Sequence, residues 1–342
     1  MNRPLKLNKI LIVGVNWLGD SLFLLPFIKT LKENYPKSYL AIMIVPRVRE
    51  IYQNNPYVDE IIVYDERGKD KSFLGKLRII NHLKKKSFDA AFILKPSLTR
   101  TFICWFAKIK ERIGFSNNKN NLLLTKKIKP ILTNAHRIDQ NLKILEELGL
   151  CIKDRIYQFQ TNSKDDDTMK RILLENGINN NEDFILINAG GNWENKRWDY
   201  KKFAELSDRI IDELKLKVVI SGALKDKQLV SNIQNLTKNK IISICGKTNI
   251  SELASLMKMA KIVVSSDSGP MHLAASIGVK VIALFGPTSP LITGPYPLGK
   301  HIILQQNVGC KTPCYVGGCS NIRCMDAISV SEVLKNIKDA IN

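Results

Sequence analysis

The chain has 342 residues, with 52 Lys and Arg against 32 Asp and Glu, a formal net charge of +20. Its 44% hydrophobic and 25% charged residues make an ordinary globular composition, which excludes a disordered tail protein, a collagen-like fibre and a disulfide-stapled miniprotein. No apolar run approaches the ~20 residues that span a bilayer, and the first one breaks at Gly14 and Asn16 before a signal-peptide core forms, so a cytoplasmic protein of about two domains is expected.

Short apolar strands alternate with longer amphipathic segments, the signature of parallel sheets with crossover helices. In the first half KILIVGV, YLAIMIV, EIIVY and FDAAFILK read as strands. Helical spacing falls over about 20–34 and 73–86, and AHRIDQNLKILEELG reads as a closing helix stopped by Gly149. The polar stretch from about 151 to 182 holds a helix whose ends are linker candidates. The rhythm restarts with FILINAG, KVVIS, KIISIC, KIVVSS and KVIALFG as strands, and helices are expected over about 200–214, 225–237, 250–259 and 270–277. Two successive open parallel sheets predict an α/β protein with two Rossmann-like domains, in which ligands bind just beyond the carboxyl ends of the strands.

The charge is uneven. Residues 1–150 hold 27 Lys and Arg against 13 Asp and Glu, and the remainder 25 against 19. A basic half attracts a polyanion, whether nucleic acid, an anionic membrane surface or a phosphorylated substrate; a Lys-rich genome produces the same bias. No zinc-finger, helix-turn-helix or RNP-type pattern supports nucleic acid. Among the cysteines, Cys104, Cys151 and Cys245 sit in apolar or strand-like stretches and read as small buried hydrophobes. Cys310, Cys314, Cys319 and Cys324 cluster in CKTPCYVGGCSNIRC, a spacing able to wrap a structural zinc or an iron–sulfur cluster or to remain as free thiols; a reducing cytosol disfavours disulfides.

Three loops at strand ends carry candidate chemistry. In GVNWLGDSLFLLP, Gly14 and Gly19 permit a tight strand-to-helix turn, and Asp20 either caps the next helix or accepts a proton from a hydroxyl. In DSGPMHLAASIGV, Asp267, Ser268 and Gly269 open a helix whose free N–H groups suit a phosphate or diphosphate, with His272 one turn on as a further donor or a structural residue. In GNWENKRWDYKKFAEL, Lys196 and Arg197 follow Gly190 and Gly191, as cations for a leaving diphosphate or as a solvated basic loop. Neither G-x-x-x-x-G-K-[ST] nor a full G-x-G-x-x-G opening a helix is present, which weighs against kinases, NTPases and ordinary NAD dehydrogenases.

Together WLGD-SLFLLPFIKTLKENYP, NKRW-DYKKFAEL and DSGPMHLAASIGVKVIALFGPTSP resemble the signature segments of the ADP-heptose:lipopolysaccharide heptosyltransferases, glycosyltransferase family 9. The W-x-G-D form, LKPSLTRTFICWFAKIKERIGF and the Cys-rich end are most similar to the heptosyltransferase II branch. The resemblance implies a GT-B fold with parallel sheets facing across a cleft. Residues 1–165 would bind the acceptor and 166–325 the nucleotide sugar, while a C-terminal helix within 326–342 would pack back on the first domain. It implies inverting transfer of L-glycero-D-manno-heptose from ADP-heptose to the lipid A-linked inner core, without an obligatory cofactor or metal, and closure about a hinge near 160–180. Another nucleotide sugar or surface-glycan acceptor is the alternative.

Residue by residue, Asp20 matches the general base and Lys196 the diphosphate lysine. Gly190, Gly191, Asn192, Thr248, Asp267, Ser268, Gly269 and His272 fall on the nucleotide-sugar side, with Asp226 taken for the ribose; Asn16, Gly19, Ser97, Arg100 and Arg112 are the acceptor candidates. Where many relatives have Trp-Pro, this chain has Trp198-Asp199. Lys95, Arg100, Lys108, Lys110 and Arg112 surround a stripe of Phe102, Trp105 and Phe106 that reads first as a core-facing helix side; the cations would dock the protein peripherally on the inner face of the cytoplasmic membrane.

Overall fold

The computed structural model describes residues 6–118, 120–131, 134–314, 319 and 321–341. The chain divides into two compact units, Met1–Tyr157 and Gln158–Asn342. The first contains β1 (Lys9–Val13), α1 (Leu18–Leu22), α2 (Leu25–Asn34), β2 (Tyr39–Ile44), α3 (Glu50–Gln53), β3 (Glu60–Val63), α4 (Phe73–Lys86), β4 (Ala90–Ile93), α5 (Leu98–Phe106), β5 (Glu111–Phe115), β6 (Lys126–Ile128) and α6 (Arg137–Glu146). Its six strands pair in the order β3-β2-β1-β4-β5-β6, all parallel.

The central strands β1, β2 and β4 are nearly continuous apolar runs because both faces of the sheet are covered. On one face Ile79 and Leu83 of α4 join Ile103 and Cys104 of α5 over Leu11, Val13 and Ala91. On the other, Phe27 of α2 meets Phe92 edge-on at 5.5 Å. The expected single helix over 20–34 is two, because Pro26 has no N–H to continue a ladder and stands instead in the first turn of α2.

The second unit contains α7 (Ser163–Glu175), β7 (Phe184–Asn188), α8 (Tyr200–Leu214), β8 (Lys217–Ser221), α9 (Lys227–Leu236), β9 (Ile242–Ser243), α10 (Ile250–Met259), β10 (Ile262–Ser266), α11 (Gly269–Ser276), β11 (Lys280–Phe285), α12 (Pro290–Thr293), β12 (Ile302–Gln305), α13 (Arg323–Asp326) and α14 (Val330–Ile341). Its sheet is again parallel and six-stranded, in the order β12-β11-β10-β7-β8-β9.

Four expectations are corrected. The units divide slightly before the anticipated 165/166, because α7 packs on α10 and buries Met169 and Leu173; the hinge expected over 160–180 would fall largely inside this packed helix. The C-terminal helix α14 does not need the first unit. Val333, Leu334 and Ile337 enter the core of the second, beside Phe203 and Ile210 of α8. Cys104 and Cys245 are buried, but Cys151 is exposed, since the chain turns off α6 at Gly149 (φ +73°) and continues outside the core. Phe102, Trp105 and Phe106 are not in the core at all; it is Ile103 and Cys104 that face inward.

Gly114 shows how closely the first sheet is drawn together: a Cβ there would lie 2.3 Å from the Ile93 carbonyl oxygen on the neighbouring strand. Gly114→Ala should therefore force β4 and β5 apart and lower the unfolding free energy by about 1–3 kcal/mol, measurable as a fall in thermal midpoint by circular dichroism.

Candidate functional site

In each sheet the strand order reverses once, between β1 and β4 in the first unit and between β7 and β10 in the second. The loops leaving such a pair diverge, opening a crevice at the carboxyl edge. The candidate residues gather at these two reversals.

In the first unit the loop after β1 is held from below by Arg100, a buried side chain on the inner face of α5. Its guanidinium donates to the Gly14 carbonyl and to Asn16 Oδ1, and it pairs with Glu66 Oε2 at 3.2 Å. Asn16 Nδ2 donates to Glu66 Oε1 at 2.7 Å, which closes the network. Ser97 caps α5 by accepting from the Arg100 N–H. Arg47 stacks over Trp17 at 4.3 Å and donates to the Asn16 carbonyl.

This architecture presents Gly19 and Asp20 on α1. Asp20 is not the cap anticipated as one of its roles, for Trp17 holds the N-cap position. Among the described residues no hydrogen bond engages the half-buried Asp20 carboxylate, which leaves its lone pairs available to a hydroxyl proton. Asn16, Gly19, Ser97 and Arg100 are thus brought together and Arg112 is not. It stands near the amino end of β5, the opposite edge of a parallel sheet, where it donates to the carbonyls of Leu123, Ile109 and Lys110.

In the second unit Asp267 is the centre. It follows β10 and is buried; its Oδ2 accepts from Lys196 Nζ at 2.6 Å and from Thr288 Oγ1 at 2.5 Å, and His272 Nε2 lies 3.7 Å from Oδ1. Burial alone pushes this carboxyl up, but the His272 ring and the Lys196 ammonium outweigh it and hold the group down at about 2. Lys196, at the end of a short 3₁₀ turn (Glu194–Lys196), also lies 5.4 Å from the centre of the Trp193 ring. Ser268 is the N-cap of α11; its hydroxyl makes no capping bond and lies 3.2 Å from Ser265 Oγ, so the N–H groups of Gly269 and Met271 in the first turn have no side-chain cap, Pro270 between them having no N–H.

The Gly190–Gly191 turn sits beside this cluster. A Cβ on Gly190 would fall 2.3 Å from Asp226 Oδ2, so the loop passes directly over that carboxylate. Asp226 itself is buried; it accepts from the Ala223 N–H at 3.0 Å and faces Arg197 at 3.8 Å, which makes it a prop under the loop. Arg197 donates twice to the Gly191 carbonyl, and Lys225 donates to Asn192 Oδ1. Thr248 follows β9, two strands from β7 in sheet order. Thr288 belongs to LFGPTSP, the strand-end loop that the sequence places beside Asp267, and its hydroxyl reaches that carboxylate. Glu66 and Arg47 are members that sequence reasoning did not select, since only strand order brings their loops to the reversal point.

The four clustered cysteines line one cavity of about 370 Å³ with Gly286, Pro287 and Gln305. All are free thiols, and among the described residues no three His, Cys, Asp or Glu side chains are arranged to hold a metal ion. Residues 315–318 and 320 of their segment lie outside the described residues.

The model of glycosyltransferase family 9 (heptosyltransferase) matches residues 76–322. The lipooligosaccharide heptosyltransferase 2 of Haemophilus influenzae is 27% identical over 303 residues, covering 84% of this chain and 85% of that protein. A crystal structure of a family 9 glycosyl transferase from Veillonella parvula superposes with a TM-score of 0.91 at 24% identity, covering 99% of each chain. The structure of Escherichia coli ADP-heptose lipopolysaccharide heptosyltransferase II superposes with a TM-score of 0.80 at 22% identity, covering 97% of this chain and 98% of that one. The GT-B fold class expected from the sequence is the fold shared with these structures.

The depressed Asp267 carboxyl gives a stability test. A group whose folded value lies below its ordinary value near 3.8 contributes fully above that value and loses its contribution as the pH falls through about 2. Asp267→Asn should therefore destabilise the neutral protein by roughly 2–3 kcal/mol. In urea titrations at successive pH values the gap from wild type should narrow between about pH 4 and pH 2.

Proposed function

The chain belongs to glycosyltransferase family 9, and from that membership we propose that it moves L-glycero-D-manno-heptose from ADP-heptose to the inner core of lipopolysaccharide, with inversion, as heptosyltransferase II does. The family model and the likeness to the heptosyltransferase 2 relatives support this reading. The finer reading rests above all on the Asp267-centred cluster, where a fixed ammonium, a hydroxyl and the uncapped start of α11 lie beside a glycine turn.

Each group has a task in this reading. The diphosphate of the donor lies against the first turn of α11, whose N–H groups and dipole favour an anion. Asp20 accepts the proton of the acceptor hydroxyl as its oxygen bonds to the anomeric carbon. The bond from that carbon to the diphosphate oxygen breaks on the opposite side, so the configuration inverts and ADP leaves with the electron pair. Lys196 and the helix N–H groups receive the growing charge on the leaving oxygen. Asp267 holds Lys196 in place before the charge develops, so little reorganisation accompanies the step.

On this reading the protein works at the cytoplasmic face of the inner membrane, where a lipid A-linked acceptor is presented. No helix among the described residues is long and apolar enough to cross a membrane.

The test is incubation with ADP-heptose and a heptose-primed core acceptor, with product read by mass spectrometry against other nucleotide sugars. Wild type should add one heptose. Asp20→Asn should lower kcat by about 10²–10⁴-fold with donor affinity little changed, and Lys196→Ala should lower both kcat and donor affinity. Transfer from a different nucleotide sugar alone, or full activity of Asp20→Asn, would refute the assignment.

A further inference from the structure

We propose that the outer face of α5 is the surface on which this protein rests against an anionic phospholipid bilayer. The proposal deepens the reading above and relies on it for the reason a membrane is visited, while its test does not depend on glycosyl transfer.

Leu98, Phe102, Trp105 and Phe106 recur at helical spacing on one side of α5 and are each between 43% and 47% exposed. Four large apolar side chains on nine residues form a continuous patch, unlike the single exposed apolar residues of an ordinary surface. The three rings pack on one another, with centroids 4.6 Å apart for Phe102–Phe106, 4.8 Å for Trp105–Phe106 and 5.6 Å for Phe102–Trp105. The opposite side of the helix is anchored in the core by Ile103 and Cys104. The rings are therefore held outward, and folding of the unit does not cover them. On the same face of the sheet α4 packs beside α5 and begins with Phe73 and Leu74, 74% and 76% exposed.

The charge around the patch selects the occupant. Exposed Lys95 and Lys108 bracket α5 and exposed Lys110 follows it, while Lys69 and Lys71 precede α4. Of the acids in that preceding loop, Asp70 and Glu66 are paired with Arg78 and Arg100, and Asp65 accepts the Gly68 and Lys69 N–H groups. Apolar rings within a cationic rim match an anionic lipid surface, where each basic residue is attracted to headgroups and an indole is favoured at the interface. A second copy of the chain would bring like charges together at the same rim, an arrangement that opposes association.

The placement also has a functional consequence. Arg100, on the inner side of the same helix, is hydrogen-bonded to Gly14 and Asn16. A bilayer against α5 would thus lie one helix away from the loop that carries Asp20, which suits a substrate whose sugar is tethered to lipid.

The test is co-sedimentation with vesicles of equimolar phosphatidylethanolamine and phosphatidylglycerol, compared with pure phosphatidylcholine. Wild type should partition to the anionic vesicles, and the triple variant Phe102→Ser, Trp105→Ser, Phe106→Ser should partition about tenfold or more weakly. In parallel, brominated phosphatidylglycerol should quench emission of wild type more than that of Trp105→Phe, a conservative change that leaves the helix intact if the triple variant fails to fold. Absence of wild-type binding, binding unchanged by loss of the rings, or equal quenching of both proteins would overturn the proposal. So would lipid-free self-association, seen by sedimentation velocity, that the same substitutions abolish. Neither readout requires sugar transfer, so vesicle binding without heptose transfer refutes only the functional reading, and transfer without ring-dependent binding refutes only this one.

Discussion

A parallel sheet whose strand order reverses cannot cover its own carboxyl edge at the point of reversal, because the chain leaves one strand toward one face and its neighbour toward the other. That constraint acts twice here, at β1/β4 and at β7/β10, and the Asp20 loop and the Asp267 cluster are gathered at those two points. The arrangement needs glycine where a loop runs over another side chain, as Gly190 does over Asp226 and Gly14 does beside Ile44, where a Cβ would lie 2.9 Å from Ile44 Cγ2.

The two crevices are stabilised by opposite electrostatic means. In the first unit the buried group is a cation. Arg100 satisfies a main-chain carbonyl, an amide and a carboxylate at once, so its desolvation is offset by several charge-assisted bonds in a fixed fork. In the second the buried group is an anion, Asp267, held by an ammonium and a hydroxyl. Removing one partner from such a cluster leaves an uncompensated charge in a poor solvent, so each network fixes the loops that contribute to it. Lys196 is half of that structural pair and also the cation proposed to receive the charge of the leaving group. Its position is therefore already fixed by folding, which is what electrostatic preorganisation requires.

Much of this was legible in the sequence because the central strands are apolar on both faces and the helices between them are amphipathic. The expected spans 73–86, 200–214 and 250–259 coincide with α4, α8 and α10. Strands β5, β6 and β12 were not separated from their surroundings: ERIGF starts with two charges and KKI is an edge strand of three residues, so neither has the apolar run by which a buried strand is recognised. Side-chain direction was less legible still. Arg100 and Arg112 read alike in the sequence, yet one precedes a crevice at a carboxyl edge and the other sits near the amino end of its strand. The ring stripe of α5 has the spacing of a core face, and only the fold shows that Ile103 and Cys104 occupy the inward side.

The departure from the Trp-Pro pattern, Trp198-Asp199, is resolved by the local geometry of α8. Proline favours a helix start by fixing φ near the helical value and by lacking an N–H that has no partner there. Aspartate reaches the same result by another route: Asp199 is the N-cap of α8, and its carboxylate accepts the Lys201 N–H at 2.9 Å. Trp198, immediately before it, is buried against Phe203 and donates its indole N–H to the Ile328 carbonyl at 3.1 Å. The loop bearing Lys196 is thus anchored two residues downstream by a packed ring and then by a capped helix. What the position must supply is a firm start to α8, and a capping carboxylate supplies it without disturbing the salt bridge between Lys196 and Asp267.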